Sequence, residues 1–104
     1  MDLNLRGKTA LITGASKGIG KATALVLAQG GCDVILVSRT AADLHAAQQQ
    51  IRETCQVEVQ YRALDLADSR SVEQLAELFP DIDILVNNAG AIPGGTLLDI
   101  DEAR

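Results

Sequence analysis

Thr13-Gly14-Ala15-Ser16-Lys17-Gly18-Ile19-Gly20 places three glycines between an apolar run and an amphipathic one. A helix N-terminus leaves backbone N–H groups without partners and carries partial positive charge, so a diphosphate can sit there when no Cβ stands in its way. In that geometry Gly14 permits a tight turn off the preceding strand, Gly18 permits close approach of a phosphate, and Gly20 permits the helix to pack on the sheet. The spacing Gly-x-x-x-Gly-x-Gly departs from Gly-x-Gly-x-x-Gly by one inserted turn residue. Its meaning therefore depends on what flanks it.

On one side, residues 8–13 are a short apolar run bounded by glycine; on the other, residues 33–38 are a second, richer in β-branched side chains. Neither alternates, so both should be covered on both faces, as central strands of a parallel sheet are. Between them Ile19, Ala22, Val26 and Leu27 fall at helical spacing, and Gly30-Gly31 supplies a left-handed stop. Residues 40–54 continue the alternation as a helix with Leu44, Ala47 and Ile51 on its apolar stripe and Asp43, Gln48, Gln49 and Arg52 towards water. His45 beside that stripe reads as a partly exposed helix histidine, with no carboxylate or cysteine at a spacing that would make it catalytic.

Residues 57–63 alternate strictly, the pattern of an edge strand with one face in the core and one in solvent. Asp68 then caps a helix carrying Val72, Leu75, Ala76 and Phe79, which Pro80 ends. Residues 82–86 form a fourth, buried strand running into Asn87-Asn88-Ala89-Gly90. The result is an α/β fold, a doubly wound parallel sheet in order 3-2-1-4. It is incomplete on its C-terminal side, because the apolar fourth strand asks for an outer neighbour, from later in a longer chain or from another molecule. Residues 91–95 read as a loop and residues 99–104 as a helix cap with one turn, so the expectation is a single domain that continues beyond Arg104.

Within this α/β order the glycine window favours dinucleotide binding over a turn with a purely structural purpose. The end of the second strand discriminates between dinucleotides, because a carboxylate there would accept hydrogen bonds from the adenosine ribose 2′-OH. Here the strand ends Val37-Ser38-Arg39. Arginine cannot replace the carboxylate but can hold a 2′-phosphate through charge-assisted hydrogen bonds, with Lys17 as a second cation on that side. The competing reading of Arg39 is an ordinary solvated residue before a helix.

The net charge of −5, from nine basic and fourteen acidic residues, argues against a broad nucleic-acid surface. The N-terminus has no basic segment followed by an apolar stretch, and no apolar run approaches membrane-spanning length. A cytoplasmic protein is the expectation. Cys32 and Cys55 are too far apart for a Cys-x-x-Cys motif and cannot complete a zinc site with the single histidine, so they read as free, mostly buried thiols and no metal is expected.

Taken in order, Thr13-Gly14-x-x-x-Gly18-x-Gly20, Asp65-Leu66 and Asn87-Asn88-Ala89-Gly90 resemble the N-terminal, cofactor-binding half of the short-chain dehydrogenase/reductase family over residues 7–90. The resemblance implies a Rossmann-like domain over residues 1–104 and an oxidoreductase transferring hydride between NADP(H) and a small carbonyl or alcohol substrate. It further implies a homo-oligomer when the chain is complete. It implies cofactor contacts from Gly14, Ser16, Lys17, Gly18, Ile19 and Gly20 in the first loop, and from Ser38 and Arg39, the pair that marks a preference for NADP. Asp65, matching the residue that meets the adenine amino group, and Leu66 follow, with Asn87, Ala89 and Gly90 bordering the cofactor and steadying the sheet. The family's Tyr-x-x-x-Lys pair is missing: the one tyrosine, Tyr61, is followed four residues on by Asp65, and neither Ser69 nor Ser71 replaces the catalytic serine. No catalytic residue is assigned, and these residues alone are expected to be inactive. The alternative is a nucleotide-binding module or subunit without catalysis.

Overall fold

The uninterrupted apolar runs find both of their faces covered. In the computed structural model, which describes residues 4–88, β1 (Thr9–Thr13), α1 (Gly18–Gln29), β2 (Asp33–Ser38), α2 (Ala41–Thr54), β3 (Val59–Ala63), α3 (Ser69–Leu78) and β4 (Ile84–Val86) follow one another. The sheet is parallel in order β3-β2-β1-β4, as the sequence pattern predicts. Because successive strand residues face opposite sides, Ala10, Ile12, Val34 and Leu36 meet α1 and α2, while Leu11, Ile35 and Val37 join Val72 and Leu75 of α3 in a second layer. Both layers are fully buried at these positions, which is why neither strand alternates in hydropathy.

The edges also follow the pattern. Among the described residues β3 pairs with β2 alone, placing Val59 in the core and Tyr61 half-buried against it, while Arg62 on the other face lies 5.2 Å over the Phe79 ring. β4 pairs with β1 through Ala10, Leu11 and Ile12, and Asp83 Oδ2 accepts a hydrogen bond from Thr9 N (2.9 Å) just before the strand begins. The expected outer partner of β4, the loop at 91–95 and the helical turn at 99–104 lie outside the described residues.

Helix ends match their chemistry. Asp68 Oδ1 accepts from Arg70 N at 2.9 Å and caps α3. At the end of α1, Cys32 N donates to Leu27 O and Gly31 N to Ala28 O, the paired bonds of a Schellman motif. Gly31 takes the left-handed conformation (φ +95) and Gly30 does not (φ −80), so one glycine of the expected pair makes the stop.

Two expectations about helix faces require correction. On α1 the buried residues are Gly20, Ala24 and Ala28, whereas Ile19 is 77% and Val26 43% exposed. The helix presents its smallest side chains to the sheet, so size and close approach, not hydropathy, orient it. On α2, Gln48 is buried rather than solvated, and its Nε2 donates to Val59 O at 2.7 Å. That bond ties α2 to β3 and satisfies a buried amide. Gln48→Ala would leave Val59 O with only the distant Arg52 guanidinium at 3.4 Å. A chemical-denaturation titration is expected to show a loss of about 1–3 kcal/mol; an unchanged midpoint would mean that water replaces the bond without cost.

Candidate functional site

A parallel sheet sends the loops after successive strands to one end, and the loops after β1, β2 and β3 enclose a cleft of about 500 Å3 there. Its walls are Gly14, Ser16 and Lys17 from the first loop, Ser38, Arg39 and Thr40 from the second, and Leu64, Asp65, Leu66 and Ala67 from the third.

The glycine loop divides its tasks. Gly14 is left-handed (φ +62), and a Cβ there would meet the Asn88 carbonyl oxygen at 3.2 Å. Gly20 presses against that same turn: its Cβ would collide with the Gly14 carbonyl and stand 3.2 Å from Ala15 Cα. The third glycine of the motif therefore packs the helix on the loop's own backbone, a closer partner than the sheet expected from sequence. Gly18 (φ +61) differs from both, since a Cβ there would meet nothing within 4 Å. Its glycine is required by the left-handed backbone and leaves the space before α1 open.

Thr13, fully buried at the end of β1, is a joint that sequence reasoning quoted but gave no role. Its hydroxyl donates to Asn87 Oδ1 (3.0 Å) and accepts from Asn88 N (2.9 Å), fastening the segment after β4 to the strand that feeds the glycine loop. Of the expected site residues, Gly14, Ser16, Lys17, Ser38, Arg39, Asp65 and Leu66 line the cleft; Gly18, Ile19, Gly20 and Asn87 do not. Ala89 and Gly90 lie outside the described residues. Thr40, Leu64 and Ala67 line it without having been singled out, because their side chains carry no distinctive chemistry; only adjacence to Arg39 and Asp65 marks them.

The polar groups are unequally committed. Ser38 Oγ accepts from Thr40 N (3.2 Å), and Asp65 Oδ1 accepts from Ala67 N (3.0 Å), so both shape their own turns. Lys17 Nζ lies 3.9 Å from Asp43 Oδ2 with both side chains well exposed, an ion pair of little stabilising value. Arg39 is exposed and makes no hydrogen bond or ion pair among the described residues. Among the described residues nothing engages its guanidinium at the end of β2.

Elsewhere, His45 of α2 and Tyr61 of β3 form an edge-on ring pair with centroids 6.0 Å apart, and neither lines the cleft. Burial raises the pKa of the Cys32 thiol, with the charges of Asp33 and Asp83 adding to the effect, which favours the protonated form. A wider groove of about 850 Å3 lies at the opposite end of the sheet, lined by Arg6, Gly31, Cys55 and Gln56 among others. It borders the amino ends of the strands, with the Gly30-Gly31 turn that ends α1 in its wall. No helix among the described residues is long and apolar enough to cross a membrane.

The short chain dehydrogenase family model matches residues 8–104. L-xylulose reductase of Mesocricetus auratus is 46% identical over 89 residues, covering 86% of this chain and 34% of that protein. Dehydrogenase/reductase SDR family member 13 of Homo sapiens is 48% identical over 92 residues, covering 84% of this chain and 24% of the relative. The crystal structure of L-sorbose reductase from Gluconobacter frateurii, complexed with NADPH and L-sorbose, superposes with a TM-score of 0.76 at 41% identity, over 88% of this chain and 36% of that one. The chain belongs to the short-chain dehydrogenase family. It spans about a quarter to just over a third of the length of these relatives.

Proposed function

We propose that this chain is the NADP(H)-binding portion of a short-chain oxidoreductase that moves hydride between the nicotinamide and a small carbonyl or alcohol substrate. The observation that carries the reading is the cleft at the carboxyl ends of β1, β2 and β3, with the guanidinium of Arg39, exposed and without a partner among the described residues, at the end of β2 where a ribose-binding carboxylate would otherwise stand. The fit is supported on the loop side by the open space at Gly18, before the N-terminus of α1, where a diphosphate would meet backbone N–H groups. L-sorbose reductase, solved with NADPH, and a metagenomic short-chain oxidoreductase, solved with NADP, are both structural neighbours.

In this reading Gly14 and Gly20 hold the turn against α1, Gly18 admits the diphosphate beside Ser16, and Lys17 stands as a second cation on the side of the 2′-phosphate. Arg39 and Ser38 receive the 2′-phosphate, while Asp65 and Leu66 border the adenine. Asn87 borders the nicotinamide side, and Ile19, exposed at the head of α1, offers an apolar contact to it. The bound nicotinamide supplies or accepts the hydride. The accompanying proton needs an acid–base group that this chain does not provide: its one tyrosine lies on β3 beside His45, and no lysine follows at the spacing that would lower its pKa. The reading therefore places the catalytic tyrosine and lysine in further chain, within a domain of which residues 1–104 are part.

Following NADPH absorbance with a panel of small ketones and sugars tests this. The full-length protein is expected to oxidise NADPH, and a polypeptide verified by mass as residues 1–104 is expected to turn nothing over. Reductase activity from the verified short polypeptide would contradict the assignment, and a full-length protein inert with every carbonyl and alcohol would favour a nucleotide-binding subunit without catalysis.

A further inference from the structure

We infer that Asp43 limits the affinity of the cleft for a 2′-phosphorylated cofactor, by holding Lys17 away from the phosphate and by opposing the phosphate's charge. The inference rests on the NADP(H) reading given above. Lys17 is the N-cap residue of α1 and lines the cleft, yet its ammonium lies 3.9 Å from Asp43 Oδ2, on the first turn of α2. The pair bridges two elements that bound the cleft, the glycine loop and the helix that begins just after Arg39 and its neighbour Thr40.

A 2′-phosphate received by Arg39 at the end of β2 faces two consequences of that pairing. Lys17 has to leave Asp43 to neutralise it, and Asp43 then remains as an unpaired carboxylate near a group bearing about two negative charges. Both effects oppose NADPH and neither acts on NADH, which carries hydroxyl in place of phosphate. The side chains are 80% and 43% exposed, so the effect is modest and screened by salt. Asp43 is thus a positioning residue, acting through Lys17, that sets how far Arg39 can favour the phosphorylated cofactor.

The test is a fluorescence titration of NADPH and NADH into full-length wild type, Asp43→Asn and Asp43→Glu, at low and high ionic strength. Asp43→Asn is expected to tighten NADPH about two- to fivefold at low salt, the range of an exposed ion pair, and to leave NADH unchanged. The gain should vanish near 1 M salt, where the screening length is about 3 Å, and Asp43→Glu should behave as wild type. Equal wild-type affinity for the two cofactors would remove the NADP(H) reading and this inference with it. A wild type that prefers NADPH, joined to an Asp43→Asn variant with no gain or with equal gains for both cofactors, would overturn the role of Asp43 alone.

Discussion

Gly20→Ala is expected to abolish cofactor binding and to lower the melting temperature of the full-length protein, although alanine is the better helix former. Propensity alone favours the substitution by about 1 kcal/mol within a helix. Against that, the new Cβ would lie 2.7 Å from the Gly14 carbonyl carbon and closer still to its oxygen, with Ala15 Cα at 3.2 Å. These are backbone atoms of the cleft wall and cannot turn aside as a side chain would. Overpacking of this kind costs about 1–3 kcal/mol and more when the neighbours are rigid, and relief requires α1 to retreat from the turn that forms the diphosphate site. Gly18→Ala separates sterics from strain: it meets open space and should cost only the left-handed backbone penalty of about 1–2 kcal/mol. Thermal melts with NADPH titrations check both; a Gly20→Ala protein with wild-type stability and affinity would show that the helix and the turn are not in register as described.

Arg39→Ala is expected to weaken NADPH binding about ten- to hundredfold and leave NADH nearly unchanged. A guanidinium can meet the 2′-phosphate with two parallel hydrogen bonds, and bonds to charged groups contribute roughly 1.5–3 kcal/mol. Because Arg39 is exposed and has no competing partner among the described residues, little has to be broken for it to bind. Lys17 should add a smaller, salt-sensitive share, reduced by its ion pair with Asp43. Ser38→Asp should move preference towards NADH, since a carboxylate accepts from the ribose 2′-OH and repels a phosphate. Fluorescence titrations decide: equal losses for both cofactors in Arg39→Ala would assign Arg39 to supporting the loop.

Strand order was legible in the sequence because it is encoded redundantly. The two unalternating runs required central strands, the alternating residues 57–63 required an edge, and the place of β1 between β2 and β4 then followed. The faces of α1 were not legible, because a hydropathy reading ranks Ile19 and Val26 above Gly20, Ala24 and Ala28, whereas close packing on the sheet selects the small residues. Gln48 was misplaced for a related reason: polarity predicts solvent, but a long amide can reach the Val59 carbonyl at β3.

At the cleft, glycine and charge patterns identified the first two loops, whereas Asp65 and Leu66 came from the resemblance to the family. Thr40, Leu64 and Ala67 enter by backbone placement, which a sequence does not display residue by residue. Thr13 is the more instructive omission. A threonine ending a buried strand looks like an ordinary β-former, and its bonds to Asn87 and Asn88 depend on β4 arriving from more than seventy residues away.

The central claim is that the cleft at the carboxyl ends of β1, β2 and β3 holds a 2′-phosphorylated dinucleotide. Amide shift mapping of the labelled full-length protein with 2′,5′-ADP tests it most directly, since this probe carries the phosphate in question without the nicotinamide. Saturable shifts should appear at Gly14–Lys17, Ser38–Thr40 and Leu64–Ala67, largest around Arg39, and 5′-AMP should reproduce them only weakly. Shifts confined to the opposite groove at Arg6, Gly31, Cys55 and Gln56, or equal responses to 2′,5′-ADP and 5′-AMP, would contradict the account.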